Sequence, residues 1–322
     1  MQMISNPTQD EIKSAAKALK NGHLVSFPTE TVYGLGADAT NEKAVGKIYV
    51  AKGRPKNHPV IVHISSANLL ENWARAIPEY AIRLGSAYWP GPMTLILKRS
   101  SLAMDFITGG QESVGIRVPN QHVALGLTRE LEKLGGFGIA APSANRFGSV
   151  SPTSARAVEE ELGKFLGCED LILDDGQCKI GVESSIIDCT QVNPVLLRPG
   201  AITKEMIEEV TGLKVSLNAG ENEIRASGLL DSHYAPKAKV ILGLSAQPGD
   251  GFIALDQIPT PIGSIRLASP ASIEDYARDL YGALRMGDQL GLNKIYVVEP
   301  EGAGLAIAIR DRLAKASSGN RT

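Results

Sequence analysis

A run near the start of the chain, Phe27-Pro28-Thr29-Glu30-Thr31-Val32-Tyr33-Gly34-Leu35-Gly36, gathers three hydroxyls, a carboxylate and two glycines behind the apolar stretch Leu24–Phe27. Burial of a core requires no such mixture. Polar groups and permissive backbone just past a strand's carboxyl end are where open α/β sheets bind small molecules. Further on, Lys52-Gly53-Arg54-Pro55-Lys56 precedes a second apolar run, Val60–Ile64. Two long cations at alternate positions of extended backbone share a side, and Pro55 biases Arg54 toward that geometry. An ammonium beside a guanidinium suits a phosphate chain, whose charge is spread over several oxygens. Taken alone, a solvated basic loop explains the pair better. Hydroxyls behind one strand and cations before the next together suggest an anionic ligand between them.

Pro142-Ser143-Ala144-Asn145-Arg146 follows the apolar run Gly138–Ala141. Ser143 and Asn145 share a side and can reach a phosphate or a sugar, but these residue types also form turns, and a turn is the simpler reading of the segment by itself. Within Ser113–Pro119, Arg117 falls on a predicted central strand. Arginine is seldom buried without an anion; a substrate carboxylate and an internal Asp or Glu serve equally well. Ser184 and Ser185 carry hydroxyls into a strand, and Arg198 leaves one in Leu196-Leu197-Arg198-Pro199-Gly200. A cap and a surface ion pair account for these too. His63, inside an apolar run, reads most simply as a core histidine. No order of Ser, His and Asp suggests a triad. Gly34-Leu35-Gly36 has Ala39 where a dinucleotide fingerprint needs its third glycine, and Gly46-Lys47 is followed by Ile48 rather than a Walker-loop hydroxyl.

These groups need a scaffold. Thr8-x-x-Glu11 forms a capping box ahead of Ile12, Ala15, Ala16 and Leu19 at helical spacing. Asn41 caps a second helix carrying Val45, Ile48 and Tyr49. Apolar strands are predicted at Leu24–Phe27, Val60–Ile64, Thr94–Leu97, Val114–Ile116, Ile139–Ala141, Leu171–Leu173, Ile186–Asp188 and Val195–Leu197, with helices at His122–Leu134, Thr153–Leu162 and Thr203–Val210. That pattern is an α/β domain built on a twisted, mixed sheet. From Leu217 to Lys239 the periodicity fades into Gly, Ser, Asn and charge, ending in Ser232-His233-Tyr234-Ala235-Pro236. Beyond it, strands at Val240–Leu242, Phe252–Leu255 and Ile295–Val298 and amphipathic helices from Ile273 and Gly304 predict a small second α/β domain. The expected division is 1–216, a linker at 217–238, and 239–322.

With 322 residues, 43% hydrophobic and 21% charged, the composition is that of an ordinary globular protein. A net charge of −2 gives no global sign of nucleic-acid or membrane binding. Cys168, Cys178 and Cys189 are odd in number and show no zinc spacing, which predicts reduced thiols in a cytoplasmic protein. Neither a signal peptide nor a membrane-length apolar run is expected.

Pro28-Thr29-Glu30-Thr31-x-Tyr33-Gly34-Leu35, Lys52-x-Arg54, Ser143-x-Asn145 and Leu197-Arg198-Pro199-Gly200, in that order, resemble the threonylcarbamoyl-AMP synthase family, YrdC or Sua5. The resemblance covers about residues 8–212, and the trailing linker and small domain are similar to the long Sua5 type. It implies a concave, basic cavity on the first domain and a Rossmann-like second one. It also implies a reaction: L-threonine, bicarbonate and ATP give L-threonylcarbamoyl-AMP and pyrophosphate, with Mg²⁺ arriving on the ATP. A downstream threonylcarbamoyl transferase system, with a transient tRNA contact here, would complete the t6A modification of tRNA. By position, Thr31, His63, Arg117, Ala141 and Ser184 match the family's threonine site. Arg54, His58, Ser113, Ser143, Asn145, Ser151, Arg198 and Tyr234 match its nucleotide site. Lys52 and Arg54 stand for the catalytic cations facing the phosphates. His58 and Ser185 depart from the commoner Asn and Thr. The resemblance also sets the linker over the cavity mouth as a lid, with Gly220 and Gly228 allowing it to move. The alternative is a non-catalytic RNA- or nucleotide-binding module.

Overall fold

The computed structural model describes residues 1–217, 224–226, 228 and 234–318. Much of the expected linker, including Gly220, Ser232 and His233, lies outside the described residues, so the expected lid does too.

Eleven strands form the first sheet. In chain order they are β1 (Gln2–Ser5), β2 (Val25–Phe27), β3 (Gly34–Asp38), β4 (Ile61–His63), β5 (Met93–Lys98), β6 (Ser113–Arg117), β7 (Ile139–Ala140), β8 (Leu171–Asp174), β9 (Ser185–Asp188), β10 (Val195–Arg198) and β11 (Ser216–Leu217). Their spatial order is β1-β8-β2-β3-β7-β4-β6-β5-β9-β10-β11, with parallel and antiparallel neighbours mixed. The second sheet holds β12 (Lys239–Leu242), β13 (Gly251–Ile253), β14 (Ile265–Ala268) and β15 (Lys294–Val297), all parallel, in the order β12-β15-β13-β14.

Side-chain alternation gives the large sheet two faces. Leu95, Leu97, Val114, Ile116, Ile187 and Leu196 enter the main core. On the opposite face, Ile96, Ile186, Val195 and Leu197 pack with Ala226 of the linker. On β6, Ser113, Gly115 and Arg117 therefore share one side, and on β4 so do Ile61 and His63. Since Ile61 pairs with Gly115 and His63 with Arg117, this register sets His63 beside Arg117. Gly115 keeps the face passable: a Cβ there would lie 3.1 Å from Ile96 Cδ1 and 3.4 Å from Ile61 Cγ1.

Local signals behave as the residue types dictate. Thr8 and Glu11 cap helix Gln9–Lys20 reciprocally, the Thr8 amide donating to the Glu11 carboxylate at 2.7 Å. Helix Glu42–Lys52 starts at the Asn41 cap and stops at Gly53, whose φ of 62° suits glycine. This corrects the expected backbone for Lys52-x-Arg54. Lys52 is the last helical residue and Gly53 is left-handed, so the two cations converge across a helix end rather than along an extended run. Helix Glu79–Tyr88 and strands β1, β3 and β14 were not anticipated; β3 is short of β-branched residues, and its Gly36 lies too close to Ile139 and Phe27 for any Cβ.

Candidate active site

One cavity lies on the linker side of the sheet. It brings together Thr31, Lys52, Arg54, His63, Arg117, Ala141, Ser143, Asn145, Ser184, Arg198 and Tyr234, all proposed from sequence. His58, Ser113 and Ser151 do not line it. His58 stands behind the lining residue Phe147, edge-on at 5.2 Å. Ser113 lines an adjoining cavity beneath Arg225 and Ala226, which shares Ile61 with the main one. Ser151 is fully buried, and its Oγ has no hydrogen-bond partner among the described residues.

The amino-acid side is built on β4, β6 and the loop after β2. Arg117 Nη1 donates to Thr31 Oγ1 at 3.0 Å, and Thr31 shares a 2.8 Å hydroxyl contact with Thr29. Arg117 Nη2 lies 2.6 Å from Glu30 Oε1, both side chains 6% exposed. The sequence left a substrate carboxylate and an internal acid equally open as partners for this arginine, and Glu30 is the internal one. Arg117 Nε has no hydrogen-bond partner among the described residues, and neither has the buried His63 Nδ1. Burial, with Arg117 adjacent, lowers the His63 pKa to about 3, so the ring is neutral at physiological pH. Ser184 Oγ lies 2.8 Å from Thr94 Oγ1.

The cationic side is held by carbonyls. Lys52 Nζ donates to the backbone oxygens of Ser143 and Asn145, which ties the loop after β7 to the helix end. Burial, then the nearby Arg54, pushes its pKa well below the usual lysine value. Arg54 donates to the carbonyls of His58 and Pro59 at 3.3 and 2.8 Å and lies over Phe147; burial lowers its pKa to about 10. Arg198 donates through Nε to the Ser184 carbonyl at 3.0 Å and through Nη2 to its hydroxyl at 3.2 Å. Asn145 spends its Nδ2 on the Arg146 and Ser149 carbonyls, while its buried Oδ1 accepts no hydrogen bond among the described residues.

Three participants escaped the sequence reading. Glu183 lines the cavity just before Ser184. Tyr281 and Arg312 reach Glu183 from the second domain without lining the cavity, the Tyr281 hydroxyl 2.9 Å and Arg312 Nε 2.8 Å from Glu183 Oε2. Tyr234 stacks on Tyr281 with centroids 5.8 Å apart. The available signal for Arg312 was an arginine standing inside the apolar stripe Ile309, Arg312, Leu313, Ala316 of helix Leu305–Ser318.

Buried cations thus stand beside a pocket with an arginine, hydroxyls and a neutral imidazole, an arrangement whose chemistry suits anionic groups. A family model described as telomere recombination, which spans the Sua5, YciO and YrdC proteins, matches residues 17–200, and one described as the threonylcarbamoyl-AMP synthase C-terminal domain matches residues 202–318. The threonylcarbamoyl-AMP synthase of Pyrococcus abyssi is 40% identical over 95% of this chain and 94% of its own, and that of Bacillus subtilis 39% over 96% and 93%. The crystal structure of P. abyssi Sua5 complexed with L-threonine superposes with a TM-score of 0.89 at 37% identity, covering 99% of this chain and 98% of that one. The chain belongs to the threonylcarbamoyl-AMP synthase family, in its two-domain Sua5 form. Among the described residues no helix is long and apolar enough to cross a membrane.

Proposed function

We propose that this protein makes L-threonylcarbamoyl-AMP from L-threonine, bicarbonate and ATP, releasing pyrophosphate, as the first step of tRNA t6A formation. The observation that carries this reading is the joining of two unlike half-sites in one cavity: Arg117, Thr31, His63 and Ser184 for an amino acid, and Lys52, Arg54, Ser143, Asn145 and Arg198 for a nucleotide. A purely nucleic-acid-gripping or nucleotide-binding module would need no amino-acid half, and the relatives are synthases.

Threonine's carboxylate approaches the unpartnered Nε of Arg117. Its amine and bicarbonate combine to a carbamate with loss of water, and a carbamate oxygen attacks the α-phosphorus of ATP while pyrophosphate leaves. The chain's part is to hold a labile carbamate in line with the nucleotide and to meet charge growing on the phosphates with fixed cations. Phosphates approaching Lys52 favour its charged form, against the burial that opposes it. Mg²⁺ supplies charge neutralisation on the triphosphate. Among the described residues no three acidic, histidine or cysteine side chains gather into a metal cage, and Glu30 and Glu183, beside the cavity, are each paired with an arginine, so the ion belongs with the ATP. Tyr234 covers the nucleotide, while His58, Ser113 and Ser151 can act only from behind or beside the cavity wall. With this reading go the cytoplasmic location proposed from the cysteines and, as the family resemblance implies, a transient tRNA contact and hand-over to a threonylcarbamoyl transferase system. The test is pyrophosphate release with each amino acid in turn. Threonine-dependent pyrophosphate is expected; ADP with orthophosphate as the main products would refute the reading.

A further inference from the structure

We propose that Arg312, from the second domain, is a positioning residue for the synthase cavity. It fixes the Glu183–Ser184 segment, the Arg198–Pro199 turn and the Tyr234 ring in one arrangement. The proposal rests on the reading above.

Arg312 is among the largest fully buried side chains of the protein, 1% exposed, although it sits on a helix of the second domain. Its Nε donates to Glu183 Oε2 at 2.8 Å, its Nη2 to the Pro199 carbonyl at 3.0 Å, and its guanidinium lies 5.3 Å from the Tyr234 ring centroid. Asp311 takes the remaining nitrogen, Nη1. All three contacts adjoin lining residues. Glu183 precedes Ser184, Pro199 follows Arg198, and Tyr234 lines the cavity itself. A neighbouring side chain on the same helix, Lys315, donates to the Gly228 carbonyl at 2.8 Å, so this helix holds both described linker residues of the cavity wall.

Two domains that merely adhere need an apolar contact, and one exists here in Val32, Val150 and Val182 packed with residues of the second domain. A buried charge adds little to such adhesion, because desolvation offsets most of its attraction. What it adds is geometry. A planar guanidinium can satisfy a carboxylate, a carbonyl and a ring face only if all three stand in fixed relation. Burial opposes the Glu183 charge, but Arg312 and then Arg198 overcome it and hold its pKa at about 2. Glu183 thus stays anionic and is drawn toward Arg312, leaving Arg198 oriented by the Ser184 carbonyl and hydroxyl. Oε1 of Glu183, buried at the cavity wall, accepts no hydrogen bond among the described residues.

The experiment compares Arg312→Met, Arg312→Lys and the double variant Glu183→Gln/Arg312→Met with wild type. Melting temperature, ATP binding by calorimetry, and KM and kcat from threonine-dependent pyrophosphate release are measured. The double variant removes the buried carboxylate together with Arg312, so it should melt closer to wild type than Arg312→Met does. Its KM for both substrates is expected to stay raised by roughly tenfold, with kcat changed less, because the carbonyl and ring contacts are still missing. Arg312→Lys keeps the charge but not the fork, and its KM should fall between the two. Full recovery of both KM values in the double variant, or wild-type KM values in Arg312→Lys, overturns the proposal by reducing Arg312 to charge compensation. Loss of folding in all three overturns it in favour of a stability role. Wild-type protein that binds ATP yet releases no pyrophosphate refutes the reaction assignment instead, while the calorimetric comparison still tests Arg312.

Discussion

Replacing Arg117 tests the amino-acid half of the site, but the Glu30 ion pair makes the obvious variant misleading. Both side chains are buried and 2.6 Å apart. Removing the arginine alone strands a buried carboxylate, which costs about 3–5 kcal/mol, a large part of the ~5–15 kcal/mol that holds a domain folded. Arg117→Met will therefore lose threonine and ATP binding together through partial unfolding, for reasons unrelated to either ligand. Arg117→Met combined with Glu30→Gln removes both charges at similar volume and should fold. In that background the missing interaction is the one to the substrate carboxylate. A charge-assisted pair in a desolvated cavity is worth about 2–5 kcal/mol. Since the Nε face supplies only part of a fork, the lower end of that range applies, and about 2–3 kcal/mol corresponds to a roughly 30- to 150-fold weaker Kd. Titration calorimetry with threonine and with ATP separately reads this directly. Threonine affinity should fall by that factor while ATP affinity stays within about threefold. Equal weakening of both ligands in a double variant that melts normally would show Arg117 to be structural, with Glu30 as its whole purpose.

Two further outcomes follow from the same geometry. Lys52→Ala removes the donor that ties two carbonyls of the loop after β7; it should cost about 1–3 kcal/mol of stability and lose turnover well beyond that, and near-normal turnover would return Lys52 to a purely structural post. His63 has its folded pKa lowered to about 3 by burial and Arg117, against about 6.5 unfolded. Its contribution to stability is therefore complete above pH 6.5 and is lost progressively as pH falls toward 3. Denaturant melts between pH 6.5 and 5, where Glu183 does not yet titrate, should show a steeper decline for wild type than for His63→Asn, by up to about 1.4 kcal/mol per pH unit.

The sequence carries most of the strands because each is an uninterrupted apolar run on a sheet covered on both faces. Ile139–Ala140 and Ile61–His63 are short, yet Ala140 and Val62 are fully buried and no alternation was needed to find them. Strand β3 escaped for the opposite reason. Gly34-Leu35-Gly36 reads as a loop, and only the close approach of Ile139 and Phe27 explains why small residues are required there. The Lys52-x-Arg54 pair was visible as chemistry but not as geometry, since Gly53 serves equally in an extended loop and as a left-handed helix cap. Arg117 could be seen to need an anion, but nothing in spacing ties it to Glu30 rather than to a ligand. The domain junction was least legible. Contacts such as Glu183 with Arg312 join residues 129 positions apart, and such pairs leave no local periodicity.

What separates this cavity from a surface patch of the same charges is the way the cations are aimed. Lys52, Arg54 and Arg198 are each oriented by backbone carbonyl oxygens. Carbonyls fix direction without cancelling the charge, whereas a carboxylate would do both. Cations held in fixed directions in a desolvated space are the arrangement that stabilises charge as it develops on a transferring phosphate. Arg117, proposed above to hold the threonine carboxylate, is treated differently and carries Glu30 on one nitrogen. A guanidinium already paired with a carboxylate would bind threonine less tightly than a bare one, but the pair holds it in place beforehand. The division of labour follows from the chemistry. On the proposed reading, the cations aimed by carbonyls meet the transition state, and the one held by Glu30 positions the substrate.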